Sequence, residues 1–220
     1  MQLRRKPPPY LPPPAAQLEC VYADSDMLVL NKPAGLLSVP GKGPEKARCV
    51  VTDAQERFGP AYIVHRLDMD TSGLIVLART IECRRALAHA FQTRQVKKRY
   101  LALIEGVPDE LSGTIDRPVA RYSRQRPLRH LEAGGLSAIT HWRLINTAPE
   151  GTHSRIELTP LTGRSHQLRL HMQSIGHAIL GDPLYGQPRT FSRLALHATQ
   201  LTFCLGTDPI VHEFDSPAPF

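Results

Sequence analysis

The stretch HRLDMDTSGLIVLA, residues 65–78, joins a short polar segment to an apolar run. Its first half brings His, Arg, Asp, Thr and Ser together within eight positions, and its second half, LIVLA, has the composition of a buried β-strand. A polar loop that leads directly into a buried strand holds its side chains on a rigid support, which is typical of catalytic and binding loops. The stretch therefore predicts a sheet-based fold with a functional loop.

The chain on either side of this loop contains more predicted strands than helices. Thr80 can cap a helix that reaches about Gln95, and a second helix follows residues 162–165 and stops at Gly176. We predict an α+β fold, with a mixed, mainly antiparallel sheet and flanking helices. Apolar or alternating runs predict strands at residues 18–23, 27–33, 99–106, 137–145, 153–161 and 194–203.

Residues 1–17 differ from the rest of the chain because they contain two runs of three prolines and the basic group Arg4, Arg5 and Lys6. This composition predicts an extended arm, mobile or draped over the surface, followed by one folded domain over residues 18–220. The prolines also exclude a secretory signal peptide. No apolar run is long enough for a membrane helix, so we expect a cytoplasmic protein without a membrane partner.

The charge balance favours a polyanionic partner. There are 27 Lys and Arg against 20 Asp and Glu, a formal net charge of +7. Residues 117–131 contain five arginines and no acidic residue, which predicts an exposed loop or ribbon. The four cysteines lie far apart and form no CxxC pair, so neither a zinc knuckle nor a disulfide framework is indicated.

Two carboxylates, Asp68 and Asp70, lie within the polar loop. They can bind a metal, act as general acid and base, divide into one catalytic group and one solvated neighbour, or cap backbone N–H groups in an ordinary turn. The metal alternative is the weaker one, because the sequence contains no second acidic cluster that could complete a two-metal nuclease site.

A second polar group lies in LTGRSHQLRLHM, residues 161–172. On a helix, Ser165 and Arg169 share one face, so Arg169 can point inward and pair with a buried aspartate, while Arg164 at the loop mouth can meet phosphate. A third group, KKRY at residues 97–100, places basic side chains before a tyrosine at a strand start. Taken singly, each of these polar segments is also typical of an ordinary solvent-exposed surface.

Together, the strings HRLDMDTSGL, KKRYLALIEG and LTGRSHQLRLHM resemble the three signature motifs of the RluA-type pseudouridine synthases. NKPAGLLSVPG at 31–41 and GDPLYG at 181–186 resemble flanking segments of the same family. The resemblance extends from about Leu18 to the C-terminus and implies the pseudouridine synthase catalytic fold, here without an S4 domain. The family cleaves the N1–C1′ bond of uridine in RNA, rotates the base and rejoins it through C5, and it uses no metal and no cofactor.

The resemblance also implies roles for the motif residues. Asp68 corresponds to the nucleophile, which can attack either C1′ of the ribose or C6 of the base. Arg169 corresponds to an arginine that forms a salt bridge with this aspartate, and Tyr100 to a tyrosine that stacks near the uracil and is a candidate for handling the C5 proton. Arg66 corresponds to the arginine that fills the space left by the flipped base.

The expected partner is structured RNA, most specifically stem-loops of 23S rRNA and tRNA, and we expect a monomer. Other rRNA or tRNA targets, a catalytically silent RNA-binding protein, and a metal-dependent ribonuclease are the alternatives. Further candidate RNA contacts are His65, Lys98, Arg99 and Arg164, together with the arginines of residues 117–131.

Overall fold

The computed structural model describes residues 9–123, 126–187, 191–205 and 210–220. The helices within these ranges are α1 (Val50–Phe58), α2 (Ile81–Gln92) and α3 (Gln167–Ser174). The strands are β1 (Glu19–Ala23), β2 (Met27–Lys32), β3 (Tyr62–Ile63), β4 (Ser72–Ala78), β5 (Lys97–Glu105), β6 (Ser112–Asp116), β7 (Val119–Ser123), β8 (Arg126–Leu131), β9 (Ile139–Thr147), β10 (His153–Pro160), β11 (Leu196–Cys204) and β12 (Val211–Asp215).

Ten of the described strands form one sheet in the order β1-β2-β4-β11-β5-β10-β9-β6, with β3 paired to β4 and β12 paired to β11. Its described pairs are antiparallel except for β4 and β11, which run parallel where Ser72 faces His197. β7 and β8 form a separate two-stranded ribbon within residues 117–131, as expected for this arginine-rich segment. The predicted mixed, mainly antiparallel sheet with flanking helices is confirmed.

The strand β4 is buried on both faces, which explains why its sequence, SGLIVLA, does not alternate between polar and apolar residues. Leu74 packs in a cluster with Leu87 of α2, whereas Ile75 packs in a cluster with Ala54 of α1. Both residues were expected in the core, and both are fully buried. The loop before β4 is therefore anchored to a strand that is buried along its whole length.

The helices agree with the sequence signals in type and differ in extent. Thr80 caps α2 as predicted, because its hydroxyl accepts the backbone N–H of Cys83 at 3.2 Å. The helix ends at Gln92 rather than near Gln95, since Arg94 adopts a left-handed conformation and turns the chain into β5. α3 lies where the second helix was predicted, and Gly176, with φ +90°, follows its end.

Gly73 marks the crossing of β4 and β11. Its φ is +109°, a conformation that side chains disfavour, and an added Cβ would overlap the backbone of Ala198 in β11. Only a residue without a side chain lets these two strands approach at this point.

The described part of the proline-rich segment, residues 9–17, lies against the folded domain. The Tyr10 hydroxyl donates to the carbonyl of Arg48 at 3.0 Å and accepts the backbone N–H of Leu37 at 3.1 Å. Residues 1–8 of the predicted arm lie outside the described residues, and the boundary at residue 17 stays a prediction. No described helix is both long enough and apolar enough to cross a membrane.

Candidate active site

The loop that carries Asp68 is tied to the segment after β2. Ser38 accepts the backbone N–H of Leu67 at 3.1 Å and donates to its carbonyl at 2.7 Å. The Met69 carbonyl accepts hydrogen bonds from the backbone N–H of Gly35 and from the Lys32 ammonium. These contacts fix the backbone on both sides of Asp68, so the NKPAG string has a structural role in the site.

Lys32 is the centre of this support. Its side chain is fully buried, and its ammonium donates to the carbonyls of Pro33, Leu36 and Met69 at 2.8–2.9 Å. Burial lowers the pKa of Lys32 to about 7, although the nearby charges of Asp70 and Asp68 act in the opposite direction. The site therefore contains a buried amine that titrates near neutral pH.

Asp68 and Arg169 are in contact, as the helical spacing and the family resemblance suggested. The Arg169 Nη1 lies 3.5 Å from Asp68 Oδ2, with Arg169 2% and Asp68 25% exposed. Arg169 projects from α3, far from Asp68 in the sequence, so the fold brings two of the three predicted catalytic residues together. The guanidinium places a permanent positive charge beside a carboxylate that still reaches solvent.

Arg169 makes closer contacts with a residue that the sequence analysis did not select. Its Nε and Nη2 donate to the two carboxylate oxygens of Asp182, at 2.7 and 2.6 Å, and both side chains are buried. Asp182 also accepts the backbone N–H groups of Leu184 and Tyr185. Although burial acts to raise it, the Asp182 pKa is held below its ordinary value by Arg169 and these N–H groups. Asp182 thus fixes one edge of the guanidinium and leaves Nη1 for Asp68.

Asp70, the second carboxylate of the loop, has a different environment from that of Asp182. Burial raises its pKa, while the positive charges of Arg169 and Lys32 oppose that shift. It therefore takes up a proton more readily than an ordinary aspartate.

Tyr100 lies on β5 between two clusters of core residues, next to the site. Burial and the nearby charge of Asp68 raise the pKa of its phenol well above the ordinary value. The hydroxyl is therefore neutral at physiological pH and available as a hydrogen-bond donor. A role as a proton acceptor requires a change in this environment when substrate binds.

His65 and Arg66 are neighbours with opposite exposure. The His65 Nε2 accepts the backbone N–H of Val76 at 3.0 Å, and its ring stacks on Phe91 at 4.5 Å. Burial lowers the pKa of His65 to about 3, so the ring is neutral and supports the loop. Arg66 is exposed and has no hydrogen bond or ion pair within the described ranges. RNA contact by either residue stays a prediction.

The basic residues of β5 lie on two faces of the sheet. Lys98 is on the same face as Tyr100, and a Cβ added to Gly163 would lie 3.9 Å from the Lys98 ammonium nitrogen. Arg99 is on the opposite face, where it pairs with Glu157 at 3.5 Å. Lys98 is therefore near the motif-three loop, whereas Arg99 is separated from Asp68 by the sheet.

Arg164 and the arginine-rich ribbon provide the remaining predicted RNA contacts. The Arg164 Nε donates to the carbonyl of Ser137 at 3.0 Å, which orients its side chain at the loop mouth. Arg117 and Arg121 are exposed, and Arg129 is half-buried. Arg124 lies outside the described residues. Contact of this surface with phosphate stays a prediction.

The described part of the chain contains no group of three or more His, Cys, Asp or Glu side chains placed to hold a metal ion. The polar residues of the site instead form ion pairs and hydrogen bonds with one another.

Comparison with known proteins identifies the family. The family described as RNA pseudouridylate synthase matches residues 26–174, which span β2 to α3 and include Asp68, Tyr100 and Arg169. The chain belongs to this family. The predicted pseudouridine synthase activity and isomerase class are thereby confirmed at the level of the family.

Relatives of this RNA pseudouridylate synthase extend over nearly the whole chain. The dual-specificity RNA pseudouridine synthase RluA of Yersinia pestis is 44% identical over 204 residues, 91% of this chain and 96% of that protein. The protein of the same name from Escherichia coli K12 is 40% identical and covers 96% of this chain and 98% of its own length. The resemblance to RluA-type synthases is therefore confirmed.

Solved structures agree on the fold of this synthase. Human RNA pseudouridylate synthase domain containing 1 is 30% identical, has a TM-score of 0.79 and covers 96% of this chain and 87% of its own. Human RNA pseudouridylate synthase domain containing 4, at 24% identity and a TM-score of 0.72, has the same fold.

Proposed function

We propose that the protein converts uridine to pseudouridine in stem-loops of 23S rRNA and tRNA, with Asp68 as nucleophile. The observation that carries the proposal is the contact between Arg169 Nη1 and Asp68 Oδ2 at 3.5 Å, at a carboxylate that is 25% exposed. A charge-compensated carboxylate that remains accessible can meet a nucleotide extruded from its helix. The dual target is supported by the names of relatives at 40–44% identity.

In this proposal the ionised Asp68 attacks either C1′ of the ribose or C6 of the uracil, and the N1–C1′ bond breaks. The base then rotates and forms a C5–C1′ bond. In the C1′ route this step displaces Asp68 from C1′, and in the C6 route Asp68 leaves C6 afterwards. C5 loses its proton and N1 gains one. Arg169 stabilises the carboxylate before attack and after its release. Tyr100, whose phenol is neutral, stacks on the base and presents its hydroxyl to the reacting ring.

The direct test is release of tritium from C5-labelled uridine RNA by the full chain. We expect release from a 23S rRNA stem-loop and from a tRNA anticodon stem-loop, and none with Asp68→Asn. Release that is unchanged in Asp68→Asn overturns the assignment of the nucleophile. RNA binding without release by the native protein identifies a catalytically silent RNA-binding protein. Release from only one of the two RNAs overturns the dual specificity.

Arg66, Arg164, Lys98 and the ribbon arginines are proposed to bind the RNA around the flipped base. His65 supports the loop from inside, and Arg99 lies on the opposite face of the sheet, so neither is assigned a contact at the flipped base. Arg66 is the sharpest case, because its guanidinium is exposed and uncommitted within the described residues. Arg66→Ala should weaken RNA binding and reduce the slope of log affinity against log salt by about 1 if it meets one phosphate. Arg143→Ala, an exposed arginine paired with Glu157, is the control. An unchanged affinity in Arg66→Ala contradicts its role.

We further propose that the protein is cytoplasmic and monomeric. Its sedimentation with and without a stem-loop RNA tests the second point, because a one-to-one complex is expected.

A further inference from the structure

His166 lies against the opposite oxygen of Asp68 from Arg169. Its Nε2 is 4.0 Å from Asp68 Oδ1, whereas Arg169 Nη1 approaches Oδ2. His166 directly precedes α3, and its side chain is only 13% exposed. The carboxylate is therefore flanked by two nitrogen groups that one short segment provides.

The other ring nitrogen of His166 is held by Tyr185. The Tyr185 hydroxyl lies 2.7 Å from His166 Nδ1, and it accepts the backbone N–H of Arg129 at 2.9 Å. The hydroxyl accepts this N–H on one lone pair and can donate its hydrogen to Nδ1. We assign Nδ1 as the acceptor, which puts the proton of the neutral imidazole on Nε2, facing Asp68.

The backbone of His166 is held in a sparsely populated conformation. Its φ of +60° lies in the left-handed region, which residues other than glycine rarely adopt. The surroundings that hold this conformation place the ring between Tyr185 and Asp68, and such strain is concentrated at functional sites.

The loop at residues 181–186 therefore contacts both groups that flank Asp68. Asp182 binds the Arg169 guanidinium, and Tyr185 binds the His166 ring. The Tyr185 ring also lies under Arg169, with 5.2 Å from the guanidinium carbon to the ring centroid. This arrangement fixes two donors relative to each other before any substrate binds.

We propose that His166 is a positioning residue of the synthase: its Nε2–H, fixed by Tyr185, donates to Asp68 Oδ1 when the substrate-bound site closes. This inference rests on the proposed function of Asp68. The 4.0 Å separation exceeds a hydrogen bond, and contacts of this kind are often long without substrate. With both oxygens held, the carboxylate presents a fixed orientation to the extruded nucleotide.

The kinetic test compares His166→Phe, which keeps a ring and removes the N–H, with His166→Gln, which restores a donor. We expect His166→Phe to slow single-turnover tritium release about 10- to 100-fold, with the RNA dissociation constant unchanged within about twofold. His166→Gln should recover most of the rate. Exposed His89→Gln is the matched control. A His166→Phe rate within about threefold of the native protein overturns the proposal.

Tyr185→Phe tests the contact between the Tyr185 hydroxyl and His166 Nδ1, and it leaves the His166 residue itself unchanged. Nitrogen-15 NMR of the histidine-labelled protein should give His166 protonated at Nε2 and unprotonated at Nδ1, and Tyr185→Phe should convert it to a tautomer mixture. Asp68→Asn should lower the His166 pKa, because a negative charge beside the ring is removed. The groups that face His166 and set this titration are Asp68, Arg169, Arg129, Asp182 and the Tyr185 hydroxyl.

The two proposals fail in different ways. If the native protein releases no tritium, the proposed function is wrong, and the NMR spectra still decide whether His166 donates toward Asp68. The positioning role of His166 is wrong if the native protein is active but His166 carries its proton on Nδ1. It is also wrong if Asp68→Asn leaves the pKa of His166 unchanged.

Discussion

Arg169 and Asp182 form a buried bidentate ion pair, with N–O distances of 2.7 and 2.6 Å and side chains that are 2% and 0% exposed. The pair leaves one guanidinium nitrogen for Asp68, at 3.5 Å. The charge that compensates the proposed nucleophile is thus itself held by a second carboxylate. Loss of Asp182 leaves the buried guanidinium with the longer contact to Asp68, and loss of Arg169 leaves Asp182 as a buried carboxylate without its ion pair.

Asp182→Asn should therefore be strongly destabilising. Breaking a buried pair by neutralising one partner costs about 3–5 kcal/mol, and Asp182 also accepts two backbone N–H groups. The free energy of unfolding from denaturant titration measures the change. Asp109→Asn, at an exposed aspartate, should stay within about 0.5 kcal/mol of the native protein. Equal stability of the two variants would show that the pair contributes nothing.

Lys32 should make stability rise with pH. Burial lowers its pKa to about 7 from an ordinary 10.5, so between these values the unfolded chain binds more protons than the folded one. Stability then increases with pH across this window, by at most about 1.4 kcal/mol per pH unit, and the penalty for burying the charge is complete below pH 7.

Comparison of Lys32→Met with the native protein isolates this effect. The native protein should gain stability relative to Lys32→Met as pH rises from 7 to 10, although the variant loses the hydrogen bonds to Pro33, Leu36 and Met69. Lys42→Met, at an exposed lysine, should run parallel to the native curve. Parallel curves for the native protein and Lys32→Met contradict the pKa shift.

Tyr100 should remain a neutral phenol at pH 10, because burial and Asp68 raise its pKa. The ultraviolet difference between the native protein and Tyr100→Phe should contain no phenolate signal at about this pH, the ordinary midpoint for tyrosine. The signal should return when both proteins are unfolded in denaturant. A phenolate signal from folded Tyr100 near pH 8 would instead identify an activated proton acceptor.

Gly73→Ala should disrupt the junction of β4 and β11. The added Cβ meets the Ala198 backbone at a φ of +109°, so we expect a loss of about 2 kcal/mol or more in the free energy of unfolding. Gly134→Ala is the matched control, since nothing lies within 4 Å of its added Cβ. Equal changes in the free energy of unfolding for the two substitutions would show that β4 and β11 accommodate the added Cβ without loss of stability.

Much of the fold and the central pair of the site follow from local sequence. Hairpins such as β9–β10 combine alternating side chains with a turn, and Thr80 is a local cap, so both were predictable. The inward face of Arg169 followed from helical spacing. The expected buried aspartate partner is Asp182, and Arg169 also contacts the partly exposed Asp68.

The remaining parts of the site depend on contacts between distant segments. Lys32 resembles an ordinary charged residue at a strand end, and only the packed structure reveals that three carbonyls surround it. Asp182 and Tyr185 lie in the string GDPLYG, whose Gly and Pro residues indicate a turn. Nothing in that string by itself indicates a catalytic or binding role. His166 lies in the string LTGRSHQLRLHM but was not selected as a candidate site residue. The string GDPLYG, as a family resemblance, was the available signal for two of these residues.

The close approach of β4 and β11 at Gly73 joins a segment that is synthesised early to one that is synthesised late. The site is therefore complete only near the end of translation. The loop that carries Asp68 leaves the ribosome early, while β11, the parallel neighbour of β4, begins only at Leu196. A chain interrupted before that residue has made Asp68, Arg169 and Asp182 without the strand that closes the sheet beside them. Premature products of translation should therefore leave nearby RNA unmodified.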